Sequence, residues 1–90
     1  MKRYVIERNI EGVGKLDAAQ RKGVAATSNA ALAKLAGKAQ WEHSYVAGDK
    51  TFCVYIAEDE GAVLEHARLS GFPAHKITEV RAVIDPMTAA

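Results

Sequence analysis

The chain has one cysteine, Cys53, so no internal disulfide can form. The fold must be held by its apolar core, and a lone thiol suits a reducing compartment. No apolar run approaches the ~20 residues that cross a bilayer. The opening MKRYVIERNIEG brings charges too early for the apolar segment of a secretory signal. A cytoplasmic protein is expected.

An excess of either charge is also missing. Twelve Lys and Arg face eleven Asp and Glu, for a net charge of +1, and the signs are interspersed. Neither a nucleic acid nor a membrane is expected as a partner. There are no paired cysteines, no histidines four apart on a helix, no Walker sequence, and no Gly-x-Gly-x-x-Gly after a strand. GVGKLD, Gly12 to Asp17, lacks the spacing of a phosphate loop.

What is present is a normal globular composition. The chain is 49% hydrophobic over 90 residues, which argues against disorder and for one domain spanning residues 1–90. A chain this short is marginal as a monomer, and a dimer interface would help it.

KRYVIER, Lys2 to Arg8, reads as a strand, and NIEGVG as a loop. Leu16 to Ala36 reads as a helix, with Asp17 and Gln20 as a capping box and Gly37 as its stop. Val24, Ala25, Ser28, Ala31, Leu32 and Leu35 form its buried stripe. Gln40 to Ala47 and Thr51 to Ala57 read as a hairpin turning at Gly48-Asp49. Asp59 to Gly71 returns to helical spacing through Val63, Leu64 and Ala67, which places His66 at the boundary with solvent. Ile77 to Asp85 reads as a last strand ended by Pro86. The order βαββαβ predicts an α+β, ferredoxin-like fold: a four-stranded antiparallel sheet with two helices on one face. Tyr4–Ile6 and Phe52–Ile56 are apolar on both faces, so the other face also needs cover. A second copy of the sheet is the simplest cover.

The stretch WEHSYVAGDKTFCVYIA concentrates the reactive side chains. A two-residue loop pairs Ala47 with Lys50, Ser44 with Cys53, Glu42 with Tyr55 and His43 with Val54. It also sets Trp41, His43 and Tyr45 on one face with Phe52, Val54 and Ile56. A three-residue loop slips everything by one and brings His43 and Cys53 to one face. Amphipathicity favours the first. Cys53 is a soft ligand or nucleophile when ionised, or else a small buried hydrophobe. His43 is a metal ligand or proton carrier, or else a hydrogen-bonded imidazole on the sheet. His75, after Pro73, reads as a surface residue. Glu7 and Glu79 read as a salt-bridge rim with Arg8 or Arg3 and with Arg81, ahead of any ligand role.

RYVIERNIEGVGKL, QWEHSYVAGDKTFCVYIA and EHARLSGFPAHKITEVRAVIDP together resemble a family of small bacterial proteins that includes a nickel-binding, nickel-responsive member. The likeness runs over about residues 2 to 86. It implies a ferredoxin-like fold that dimerises into an α/β barrel, and nickel bound at more than one place. The matching positions with suitable donors are Glu7, His43, Cys53, His66 and Glu79. The expected function is a divalent-metal buffer or sensor, with nickel as the metal and a homodimer as the working form. The alternatives are a small-substrate enzyme of the monooxygenase or cyclase type, or a stress-associated binding module without chemistry. In the enzyme, Trp41, Tyr45, Phe52 and Tyr55 would line the pocket and His43 would be the base.

Overall fold

A computed structural model describes all 90 residues. The chain runs β1 (Lys2–Asn9), a 3₁₀ turn (Val13–Lys15), α1 (Ala18–Ala33), β2 (Ala39–Ala47), β3 (Lys50–Ala57), α2 (Glu60–Ser70), β4 (Lys76–Glu79) and a second 3₁₀ turn (Pro86–Ala89). The four strands form one antiparallel sheet in the order β2-β3-β1-β4. This is the α+β, ferredoxin-like arrangement expected from the sequence.

Alternation along the strands sorts the two faces. Tyr4, Ile6, Cys53, Tyr55 and Ala57 point towards the helices and form the core with Leu35, Ala39, Ala62 and Val63. Val5, Phe52, Val54 and Ile56 point the other way and stay half-buried within one chain. They make a continuous apolar strip on a face that carries no helix.

The capping box on α1 is complete. Gln20 N–H donates to Asp17 Oδ1 at 2.8 Å, and Asp17 N–H donates to Gln20 Oε1 at 3.0 Å. α1 stops at Ala33, three residues short of the expected end. The chain tightens there, with Leu35 N–H donating to the Leu32 carbonyl at 3.0 Å, and Leu35 is buried in the core. Of the expected stripe, Ser28, Ala31 and Leu35 are buried, whereas Val24 is 40% exposed. The amino-terminal half of α1 therefore stands off the sheet. α2 follows its expected bounds, with Asp59 as N-cap and Gly71 as C-cap at φ 77°. Its buried side differs: Ala62, Val63 and His66 face inward, and Leu64 is 51% exposed. His66 lies in the middle of that stripe, not at its edge, because Ala62, His66 and Leu69 recur at helical spacing.

Two strand expectations are corrected. The last strand ends at Glu79, not Asp85. Its partner β1 begins at Lys2, and after Val80 N–H donates to the Arg3 carbonyl at 2.8 Å almost no backbone remains to pair with. The hairpin takes the two-residue loop, with Ala47 opposite Lys50, Ser44 opposite Cys53 and His43 opposite Val54. The register then shifts between Trp41 and His43, so that Trp41, not Glu42, faces Tyr55. Glu42 is an extra, bulged residue. Trp41 consequently leaves the face of His43 and Tyr45 and joins the helix-covered side.

Candidate functional site

The five candidate donors fall on two sides of the sheet. Glu7 and His43 belong to the open face: Glu7 stands opposite Phe52, and His43 opposite Val54. Two strand spacings separate them, ~10 Å, which is too far to hold one ion together. His43 is exposed and its ring meets the Tyr45 ring edge-on, 4.9 Å between centroids. Glu7 reaches Lys50 at 4.0 Å. Glu79 sits on the edge strand between Lys2 and Arg81, 3.6 Å from each. The salt-bridge rim read from the sequence is thus present, but Arg3 pairs with Glu42 at 2.8 Å instead of with Glu7.

Cys53 and His66 lie under the helices. Cys53 is buried and donates to Thr51 Oγ1 at 3.5 Å. His66 is wholly buried, and its Nε2 lies 3.1 Å from Ser28 Oγ. Its ring sits 4.8 Å from that of Tyr55. Burial, with the nearby Arg8 charge, pushes the His66 imidazole down to about 4 from its usual 6.5. Burial likewise raises the Tyr55 phenol. No three of the chain's His, Cys, Asp or Glu come together as a metal cage. No three of the five candidate donors converge within the chain.

The helix-covered side contains a cavity of about 550 Å³ beneath the amino-terminal half of α1. Trp41 and Tyr55 line it, but Tyr45, Phe52 and His43 do not. The aromatic set expected for an enzyme pocket is therefore split between the two faces, and the proposed base is on the wrong one. Arg8 is the residue that sequence reasoning assigned elsewhere. It is 2% exposed, lines this cavity, and has no acid beside it. Its guanidinium carbon lies 5.7 Å from the Tyr55 ring centre. The spacing Tyr4, Ile6, Arg8 already put it on the buried face; only its charge argued otherwise.

The floor of the cavity is fixed by the loop after β1. Ile10 N–H donates to the Asp49 carbonyl at 2.8 Å, and Gly12 N–H to Asp49 Oδ1 at 3.0 Å. A side chain at Gly14 would meet the Gly48 carbonyl oxygen at 2.5 Å. The loop and the hairpin turn can only close this tightly around glycine.

A family model described as "Nickel responsive protein SCO4226-like" matches residues 4–80. Among solved structures, the fold resembles the crystal structure of SCO4226 from Streptomyces coelicolor A3(2), with a TM-score of 0.75. The match covers 91% of this chain and 99% of that one at 15% identity, which establishes the shared fold. Comparison with curated proteins gives no match. No helix is long and apolar enough to cross a membrane.

Proposed function

The chain belongs to the SCO4226-like family of nickel-responsive proteins, and on that premise we propose that it is a small cytoplasmic protein that binds nickel or a similar divalent ion as a homodimer, acting as a buffer or sensor. The observation that carries this reading is the open sheet face. There an apolar strip, Val5, Phe52, Val54 and Ile56, lies beside two donors, His43 and Glu7. An apolar face of this kind calls for cover, and a second sheet stacks at ~10 Å.

The same face bears on where the ion would sit. Imidazole nitrogen and carboxylate oxygen suit nickel, yet one chain brings no three donors together. A complete ligand set therefore needs two copies. In a two-fold pair a mixed site off the axis occurs twice, which accommodates nickel bound in more than one place. The helix-covered side suits a cation poorly, because Cys53 shares its cavity with Arg8 and Arg21 and His66 feels the Arg8 charge.

Calorimetric titration of metal-free protein with nickel, beside His43→Ala and Glu7→Gln variants, tests the reading. The wild-type protein is expected to bind tightly and at a mass twice the 9.7 kDa of the chain, with His43→Ala losing most of the affinity. Equal, millimolar binding by all three proteins would reject it.

A further inference from the structure

The cavity under α1 has the composition of an anion site. Its wall contains Arg8 and Arg21 and no Asp or Glu. Arg8 is 2% exposed, and its Nε and Nη2 find no hydrogen-bond acceptor in the protein. A guanidinium cannot shed its proton to relieve burial, and an unpaired buried charge costs several kcal/mol. The face of Tyr55, 5.7 Å from its guanidinium carbon, offers a weak cation–π contact. The neighbouring polar groups are already engaged with each other: Trp41 Nε1–H donates to Ser44 Oγ at 2.9 Å, and Cys53 donates to Thr51. The remaining wall is apolar, including Val13, Leu16, Val24 and Phe72. Val24 and Ala25 belong to the half of α1 whose apolar stripe meets the cavity instead of the sheet.

We infer that this cavity binds a small organic carboxylate with an apolar body, its carboxylate gripped by Arg8 and its body held between α1 and Trp41. One buried guanidinium matches one carboxylate in charge and in its two-pronged hydrogen-bonding geometry. A volume of about 550 Å³ lies within the ordinary range of small-molecule pockets, ~300–1,000 Å³. Ser28 and Tyr55 also line this wall, but their hydroxyls are engaged with each other at 3.4 Å and with His66 Nε2, which leaves the Arg8 guanidinium as the unpartnered donor. The site lies on the face of the sheet opposite His43 and Glu7, so it stands or falls separately from the metal reading proposed for them.

The test is calorimetric titration of the metal-free full chain with decanoate, 1-decanol and acetate in parallel. Decanoate is expected to bind once per chain, decanol more weakly by about tenfold or over, and acetate not measurably, since loss of a charge-assisted hydrogen bond costs ~1.5–3 kcal/mol. Arg8→Met keeps the volume, removes the charge, and should lower decanoate affinity by about tenfold or more while leaving decanol unchanged. Ala25→Trp fills the cavity from a half-buried helix position and should abolish both. The inference is overturned if decanoate fails to bind, if it binds no better than decanol, or if either variant retains wild-type decanoate affinity. Should Arg8→Met not fold, the comparison with decanol and the Ala25→Trp result decide alone.

Discussion

Lowering the pH should unfold this protein through His66 before its carboxylates matter. The imidazole is wholly buried. The groups facing it are Ser28 from α1, Tyr55 from β3 and, through its charge, Arg8 from β1. None is an acid that could stabilise an imidazolium. Burial first, and the Arg8 charge second, lower its pKa from 6.5 to about 4. The unfolded chain therefore takes up a proton near pH 6.5 that the folded chain refuses until about pH 4. Stability is fully present above pH 6.5 and falls as pH drops through that window. Integrated from pH 8 to pH 5, the loss is about 2 kcal/mol, or roughly 8–16 °C in Tm for a domain of this size. Urea unfolding at intervals between the two pH values would measure it, with His66→Gln as the control that cannot titrate. The variant's curve should be flatter by about 2 kcal/mol over that span, whatever its absolute stability. Parallel curves for the two proteins would show that the His66 environment accepts charge and that the reasoning is wrong.

Three other outcomes follow from features already described. Asp17→Ala removes the side-chain acceptor of the α1 capping box, leaving the Gln20 N–H without its partner, and should cost about 1 kcal/mol in denaturant unfolding; an unchanged midpoint would mean this cap contributes nothing. Gly14→Ala places a methyl 2.5 Å from the Gly48 carbonyl oxygen, both backbones being fixed by Asp49, and should destabilise by roughly 1–3 kcal/mol; a wild-type melting temperature would show that the loop moves freely off the hairpin. Val54→Lys sets a charge in the centre of the open apolar strip and should leave a species of 9.7 kDa by light scattering, whereas a mass unchanged from a dimeric wild type would place the interface elsewhere.

The element order, the capping box and the two-residue hairpin loop were legible because each depends on neighbours in the chain. What escaped depends on distant partners. β4 stops where β1 runs out of backbone, which nothing in ITEVRAVID announces. The bulge at Glu42 moves Trp41 to the other face without a glycine to mark it. His66 falls at the boundary when the stripe is centred on Val63, Leu64 and Ala67; the true stripe is rotated towards Ala62 and leaves Leu64 exposed, a choice set by the sheet the helix packs on. Arg8 is the sharper case. Strict alternation after Tyr4 and Ile6 pointed it inward, and the habit of putting charges outside prevailed over geometry. The donor list held five plausible residues, but parity along the strands divides them between faces, and only a settled register reveals that.

The bulge has a consequence for the chain's tolerance to length change. Residues 39–41 and 43–47 each keep an uninterrupted ladder with β3, and Glu42 alone belongs to neither. Deleting it would join the two segments into a regular strand in which every side chain keeps its present face. The forfeits would be the Arg3 ion pair and the local twist that a bulge imparts to an exposed edge, one of the devices that keep such edges from zipping together. A shortened variant should therefore fold with the same register yet associate edge to edge more readily, whereas removal of Trp41 would heal the bulge by setting the Glu42 carboxylate opposite Tyr55 on the helix-covered side.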